Sequence, residues 1–232
     1  MAKLNKTALS PYSPGGLKFL ESPHVAEEQK LRFANEVGRL SEVVRRMPGD
    51  DQSVMLELFK EIDKNLDEQT AKHHNISCRR GCSFCCYVPV QVTPDEADIL
   101  AKKMQTLAYD HDRLKIQANN RIQDEKQTLP KEHAACVFLD GGGMCKVYDI
   151  RPIACRLHYV TSSPELCDTT TDTPDQRVQK LVLPKAEALA SGIYHAMGAE
   201  YMPLALLERL KKDDDEAVSI EPAALPDALT ES

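Results

Sequence analysis

The sequence predicts a mainly α fold, a helical domain around a cysteine-rich metal-binding core with a small β-hairpin. Three observations predict it. Apolar residues step by three and four through long stretches on either side of the cysteines, the periodicity of helices that bury one face. All eight cysteines fall between Cys78 and Cys167, in the middle of the chain. Only two short stretches, around residues 88–92 and 137–148, carry the alternating valines or the glycine punctuation of strands and tight turns.

The elements follow in order. Residues 1–24 hold Pro11, Pro14, Gly15, Gly16 and Pro23, which interrupt helical and strand patterns alike, so a disordered arm is expected. From Ala26 to Met47, residues Phe33, Val37, Leu40, Val44 and Met47 share one helical face. "MPGDD" ends that helix, Asp50 or Asp51 caps the next, and Met55, Leu58, Phe59, Ile62 and Leu66 repeat the stepping. An antiparallel helical hairpin over 25–75 is the expected product. Beyond Cys86, "YVPVQV" alternates Val88, Val90 and Val92, a short strand that Pro89 confines to an edge. In "TPDEADIL", Thr93 and Glu96 form a capping box with Pro94 at the first helical position, opening a helix to about Ala108. Leu114, Ile116 and Ile122 predict a further polar helix from Asp112 to Lys126. "VFLDGGGMCKVYD" reads as a hairpin around Gly141, Gly142 and Gly143; a phosphate-binding loop would require a helix opening on Lys-Ser/Thr, and none follows. Thr173 and Pro174 open a helix that Pro184 interrupts or kinks, Gly198 ends its continuation, and Leu204 to Lys212 is a last short helix.

With 232 residues, 42% of them hydrophobic, the chain is long enough to bury a core. Its formal net charge of -7 is concentrated at one end: Asp213 to Ser232 holds seven acidic residues and no basic one, which leaves 29 acids against 29 bases elsewhere. This acidic tail is expected to be solvated and disordered, and the balanced body has no basic footprint for nucleic acid. No stretch has the pattern of a signal peptide or the length of a membrane span, so a cytoplasmic protein is expected. In a reducing compartment eight cysteines favour metal ligation or redox chemistry over structural disulfides. The expected organisation is a disordered arm (1–24), a helical hairpin (25–75), a cysteine-cluster metal-binding core (76–170), C-terminal helices (171–212) and an acidic disordered tail (213–232).

Within "CRRGCSFCC", Cys78, Cys82 and Cys85 are separated by three and two residues, short enough for one loop to wrap its sulfurs around a metal ion or cluster. Cys86 directly follows Cys85, and adjacent side chains diverge in helix and strand alike, so Cys86 is expected to bridge to later ligands. Cys136, Cys145 and Cys155 are too widely spaced to chelate as a local loop, but a hairpin returning beside the first segment would bring them in. Cys167 completes the eight metal candidates. Thiolates around zinc or an iron–sulfur cluster leave net negative charge, which Arg79, Arg80, Arg151 and Arg156 are expected to offset while lowering the thiol pKa values. Phe84 is expected to shield the chelating loop. His73, His74 and His158 lie close to the cysteines but read as polar loop residues rather than ligands. No Cys-His-Asp arrangement marks a nucleophile, so the catalytic residues and the question of enzymatic activity stay open.

"CRRGCSFCC", followed by "ACVFLDGGGMCKVYDIRPIACRLH", resembles the CxxCxxCC cysteine-cluster family of zinc- or iron-chelating domains. The resemblance covers Ser77 to Cys167. It includes eight cysteines in the family's order, "FL" after Cys136, the glycine before "MCKVYD", and Arg151, Pro152, Cys155 and Arg156 of "RPIACR". One departure is the three residues between Cys78 and Cys82, where the family name has two. The resemblance implies metal chelation by these cysteines, as an iron–sulfur cluster or as zinc; members are often labelled iron–sulfur oxidoreductase or flagellin N-methylase. The spacing Cys78-x3-Cys82-x-Phe84-Cys85 also looks like the radical S-adenosylmethionine signature, but the long strand–helix barrel that normally follows is missing. The expectation is therefore an iron–sulfur protein of electron transfer or metal handling, with a structural zinc module of an interaction protein as the alternative. Its partner is the metal, a protein partner remains open, and neither nucleic acid nor membrane is expected.

Overall fold

The computed structural model describes residues 9–49, 51–123, 129–168 and 178–219, the side chains of 51, 121–123 and 212–219 excepted. In chain order the elements are α1 (Pro14–Glu21), α2 (Glu27–Arg45), α3 (Asp51–Thr70), β1 (Gln91–Val92), α4 (Pro94–Met104), α5 (His111–Gln123), α6 (Lys131–Ala134), α7 (Ile153–Arg156), β2 (Tyr159–Val160), β3 (Lys180–Leu181), α8 (Pro184–Met197), β4 (Glu200–Tyr201) and α9 (Met202–Ser219). Single 3-10 turns occur at Phe84–Tyr87, Tyr148–Ile150 and Pro164–Cys167. The fold is mainly helical, as expected, with two small antiparallel sheets. In one, β1 pairs with β4, Gln91 opposite Tyr201; in the other, β2 pairs with β3, Tyr159 opposite Leu181.

Several segments differ from the sequence reading. Part of the arm expected over 1–24 is helical: Pro14 opens α1 instead of breaking a pattern, and Ser13 caps it by accepting the Gly16 N–H at 3.1 Å. Ser13 Oγ also donates to Glu187 Oε2 at 2.6 Å, which ties α1 down onto α8. Residues 1–8 lie outside the described residues.

Helices α2 and α3 form where the periodicity places them but do not close on each other as a hairpin. α2 lies along α8, and α3 packs against α4, α7 and α8. The reason is the sequence of α8, whose residues Ala186 to Tyr194 are all buried, so that it takes a central position that no amphipathic helix could fill. At Gly192 an added Cβ would stand 2.8 Å from Leu40 Cβ and 3.1 Å from Ser41 N, so this close approach of α2 and α8 requires glycine.

The capping box of Thr93 and Glu96 opens α4 as expected. The hairpin expected around Gly141 to Gly143 narrows to one bridge between Leu139 and Cys145. Asp140 Oδ1 accepts the Gly142 and Met144 N–H groups, at 2.9 and 2.8 Å, and Gly143 turns the chain at φ +78°. Pro184 does not kink a helix begun earlier. The preceding chain is extended at β3 and at Leu183, as a residue before proline prefers, and Pro184 starts α8. Thr173 and Pro174 lie outside the described residues. α8 stops at Gly198, whose N–H donates to Tyr194 O at 2.8 Å. α9 continues past Lys212 to Ser219, and residues 220–232 of the acidic tail lie outside the described residues.

Two main apolar clusters result. One joins α3, α7 and α8 with the last turns of α2; the other joins α4, α5 and α9 with Val137, Phe138 and Val147. The stretch 136–157 contributes to both, since Ile153 and Leu157 belong to the first cluster. The cysteines of that stretch are therefore held by two cores at once. No described helix is long and apolar enough to cross a membrane.

Candidate metal centre

Backbone hydrogen bonds bring the two halves of the cysteine set together. The Ser77 N–H donates to Val160 O at 2.9 Å, and the Val160 N–H donates to Cys78 Sγ at 3.3 Å, so the first loop hangs from β2. The chain then tightens into the turn Phe84–Tyr87, where the Cys86 N–H donates to Ser83 O at 2.9 Å. Cys136 follows alongside, its N–H donating to Cys86 O at 2.8 Å. The turn Pro164–Cys167 packs on the turn Phe84–Tyr87 and buries Cys167.

Cys155 arrives on α7. The Ile153 N–H at the start of that helix donates to Glu96 Oε1 at 2.6 Å, while the Thr93 N–H donates to Glu96 Oε2 at 2.8 Å. Burial pushes the Glu96 carboxyl up to about 7; the Thr93 and Ile153 N–H groups and, more weakly, Arg156 pull the other way. The capping box legible in "TPDE" accounts for Glu96 on α4, but nothing local to it signals the second helix that Glu96 holds.

All the predicted cysteines except Cys167 line one cavity of about 330 Å³. Their electrostatics centre on Cys85. Its thiol is raised far above the ordinary range, first by its hydrogen bond with Cys86 and then by burial. Charge on Cys85 in turn opposes ionisation of Cys78, Cys136, Cys145, Cys155 and Cys167. In each of these five, burial is the larger cause; it pushes Cys136 and Cys167 up to about 11. Cys85 and Cys86 thus meet within the turn Phe84–Tyr87, although adjacent side chains diverge in regular helix and strand.

The arginines behave differently from one another. Arg151 stacks its guanidinium 4.1 Å from the Tyr148 ring centroid and draws the Cys145 thiol down, against the larger effect of burial. Arg80 lies over the same ring at 4.8 Å, and Arg79 lines the cavity. Arg156 is committed elsewhere: its guanidinium pairs with Asp63, donates to the carbonyls of Asp149 and Arg151, and covers the Phe59 ring at 4.3 Å. Arginine charge acts in the expected direction where it reaches a thiol, from Arg151 on Cys145 and from Arg113 on Cys136, but burial raises both thiols by more. Phe84, expected to shield the loop, is half-buried and is not part of the cavity wall.

His158 does line the cavity, and its Nε2 is buried without a hydrogen-bond partner among the described residues. Burial holds its imidazolium down to about 4, so the ring is neutral at physiological pH. His73 and His74 are exposed. Sequence proximity treated the three histidines alike, and only the fold separates them.

Among the described residues no group of three or more His, Cys, Asp or Glu side chains is already arranged as a site for a metal ion. The donor set nevertheless fits zinc or iron in kind. Thiols are soft donors, and these converge from four segments on one desolvated cavity; loss of their protons, which metal binding requires, would allow them to close on a shared centre.

A helical frame around a thiol-lined cavity defines a metal-chelating domain. Residues 77–179 match the model of the CxxCxxCC family, described as "Putative zinc- or iron-chelating domain". No curated protein and no solved structure matches the chain.

Proposed function

We propose that the protein binds an iron–sulfur cluster in the cavity, with Cys78, Cys82 and Cys85 as its first ligands, Cys86, Cys136, Cys145 and Cys155 as candidates for the rest of the set, and Cys167, outside the cavity wall, as the last candidate, and that it serves electron transfer or metal handling in the cytoplasm. Residues 76–170 form the metal-binding core in this reading, carried by the helices on either side. The observation that supports it most is that seven cysteines from separate segments, Cys85 among them, line one cavity.

Cavity size favours a cluster over one ion. A water molecule takes about 30 Å³ of liquid volume, and a bare ion is of similar size or smaller. A cavity of about 330 Å³ has room for several iron and sulfur atoms. When bound, a cluster supplies one-electron redox capacity. The chain's own residues would do the rest. The thiols release protons as they take up metal. Val90, Phe138, Val147 and Met202 in the wall would exclude water, and Arg79 and Arg151 in the wall, with Arg80 over the Tyr148 ring, would offset the anionic charge.

Anaerobic purification followed by iron, zinc and acid-labile sulfide analysis tests this reading. Iron and sulfide in comparable amounts are expected. Zinc without iron would replace the cluster by a zinc site, and protein with no metal and eight titratable thiols would overturn both.

A further inference from the structure

We infer that His158 is a nitrogen ligand of the metal centre, so that the site combines thiolates with one imidazole. The inference rests on the metal-binding reading above and adds a donor that the cysteine pattern does not contain.

Position carries the argument. The His158 N–H returns to Cys155 O at 3.4 Å, and two residues later the Val160 N–H donates to Cys78 Sγ at 3.3 Å. The ring therefore projects from a short stretch fixed at one end to Cys155 and at the other to Cys78. It forms part of the same cavity wall as both cysteines. Its Nε2 is shielded from solvent and has no hydrogen-bond partner among the described residues. A buried ring nitrogen without a partner costs free energy unless a donor or a metal meets it. Of the other histidines near the cysteines, His73 and His74 are exposed and His133 does not line the cavity.

The chemistry agrees with the geometry. A neutral imidazole donates a lone pair to zinc and to iron alike, and mixed cysteine–histidine sites occur for both. Replacing one thiolate by an imidazole removes one negative charge from the centre and raises the reduction potential of a cluster.

The test uses full-length protein carrying isotopically labelled histidine, loaded anaerobically with Fe(II) and sulfide in one arm and with Co(II) alone in the other. Pulsed electron paramagnetic resonance reads whether a histidine nitrogen couples to the metal. Coupling is expected in the wild type, in whichever arm takes up metal, and is expected to vanish in His158→Ala. Metal affinity of that variant should fall at least about tenfold, and His158→Cys should restore binding without restoring the coupling. Metal-loaded wild type without nitrogen coupling, or coupling that survives His158→Ala, overturns the inference while leaving the thiol site standing. Uptake of neither metal removes the metal-binding reading and the inference together. The wild-type spectrum decides the matter even if a variant folds poorly.

Discussion

Glu96 and Ile153 are joined by a hydrogen bond of 2.6 Å from the Ile153 N–H to Glu96 Oε1. Because the other carboxylate oxygen accepts the Thr93 N–H, one fully buried side chain caps α4 and α7 together. α7 carries Cys155, so the position of that thiol depends on a residue of a different helix.

Glu96→Ala should therefore destabilise the protein by about 2–4 kcal/mol, since it removes the acceptor of two hydrogen bonds and leaves two buried N–H groups without partners. Urea denaturation measures the loss. A change within error of zero would show that α7 is held by its apolar contacts alone.

The same carboxyl makes stability depend on pH. Folding raises the Glu96 pKa from its ordinary 4.5 to about 7, so the folded state holds the proton more tightly than the unfolded chain. The stability this contributes is complete below about pH 4.5 and is lost as pH rises through about 7. At roughly 1.4 kcal/mol per unit, the stability of the wild type relative to Glu96→Gln should fall by on the order of 3 kcal/mol across that interval. Denaturation curves of both proteins from pH 4.5 to 8 check it. A difference that stays constant, or grows with pH, would contradict the assignment.

Arg156 is 1% exposed in its side chain and Asp63 is 44% exposed, so the pair is buried at the cationic end only. Removing the carboxylate in Asp63→Ala strands a buried guanidinium and should cost about 2–3 kcal/mol, less than the loss from a pair buried at both ends. The double variant Asp63→Leu, Arg156→Met keeps an apolar stem against Phe59 and should be more stable than Asp63→Ala. Thermal unfolding gives the order; the reverse order would mean that the ion pair itself holds α7 to α3.

Gly192→Ala should destabilise by about 1–3 kcal/mol, because its methyl group meets Leu40 Cβ at 2.8 Å and the Ser41 backbone at 3.1 Å. Gly38 on α2 meets nothing within 4 Å of an added Cβ and serves as the control. Gly38→Ala should leave stability unchanged or raise it slightly.

Much of this architecture is legible in the sequence wherever the physics is local. Thr93, Pro94 and Glu96 specify the start of α4 within four residues, and the three-and-four stepping of Phe33 to Val44 specifies the buried face of α2. The eight cysteines mark the site. What the sequence does not reveal depends on distant partners. Pro14 reads as a breaker until Ser13 and Glu187 are seen to meet; the stepping of α2 points to α3 until the small residues of α8 admit it more closely. Arg156 looks like a counter-charge for thiolates, yet Asp63, far away in sequence, claims it. The raised thiol pKa values arise from desolvation, which only the closed cavity creates.

Thiols from separate segments line one cavity with Cys85 among them, and a metal centre held there should depend on that thiol. The iron and acid-labile sulfide content of anaerobically purified Cys85→Ser beside the wild type, with folding of both checked by circular dichroism, tests this. Iron and sulfide are expected in the wild type and are expected to be lost from a folded Cys85→Ser. Equal metal in the two proteins, or a wild type that holds none, would contradict it.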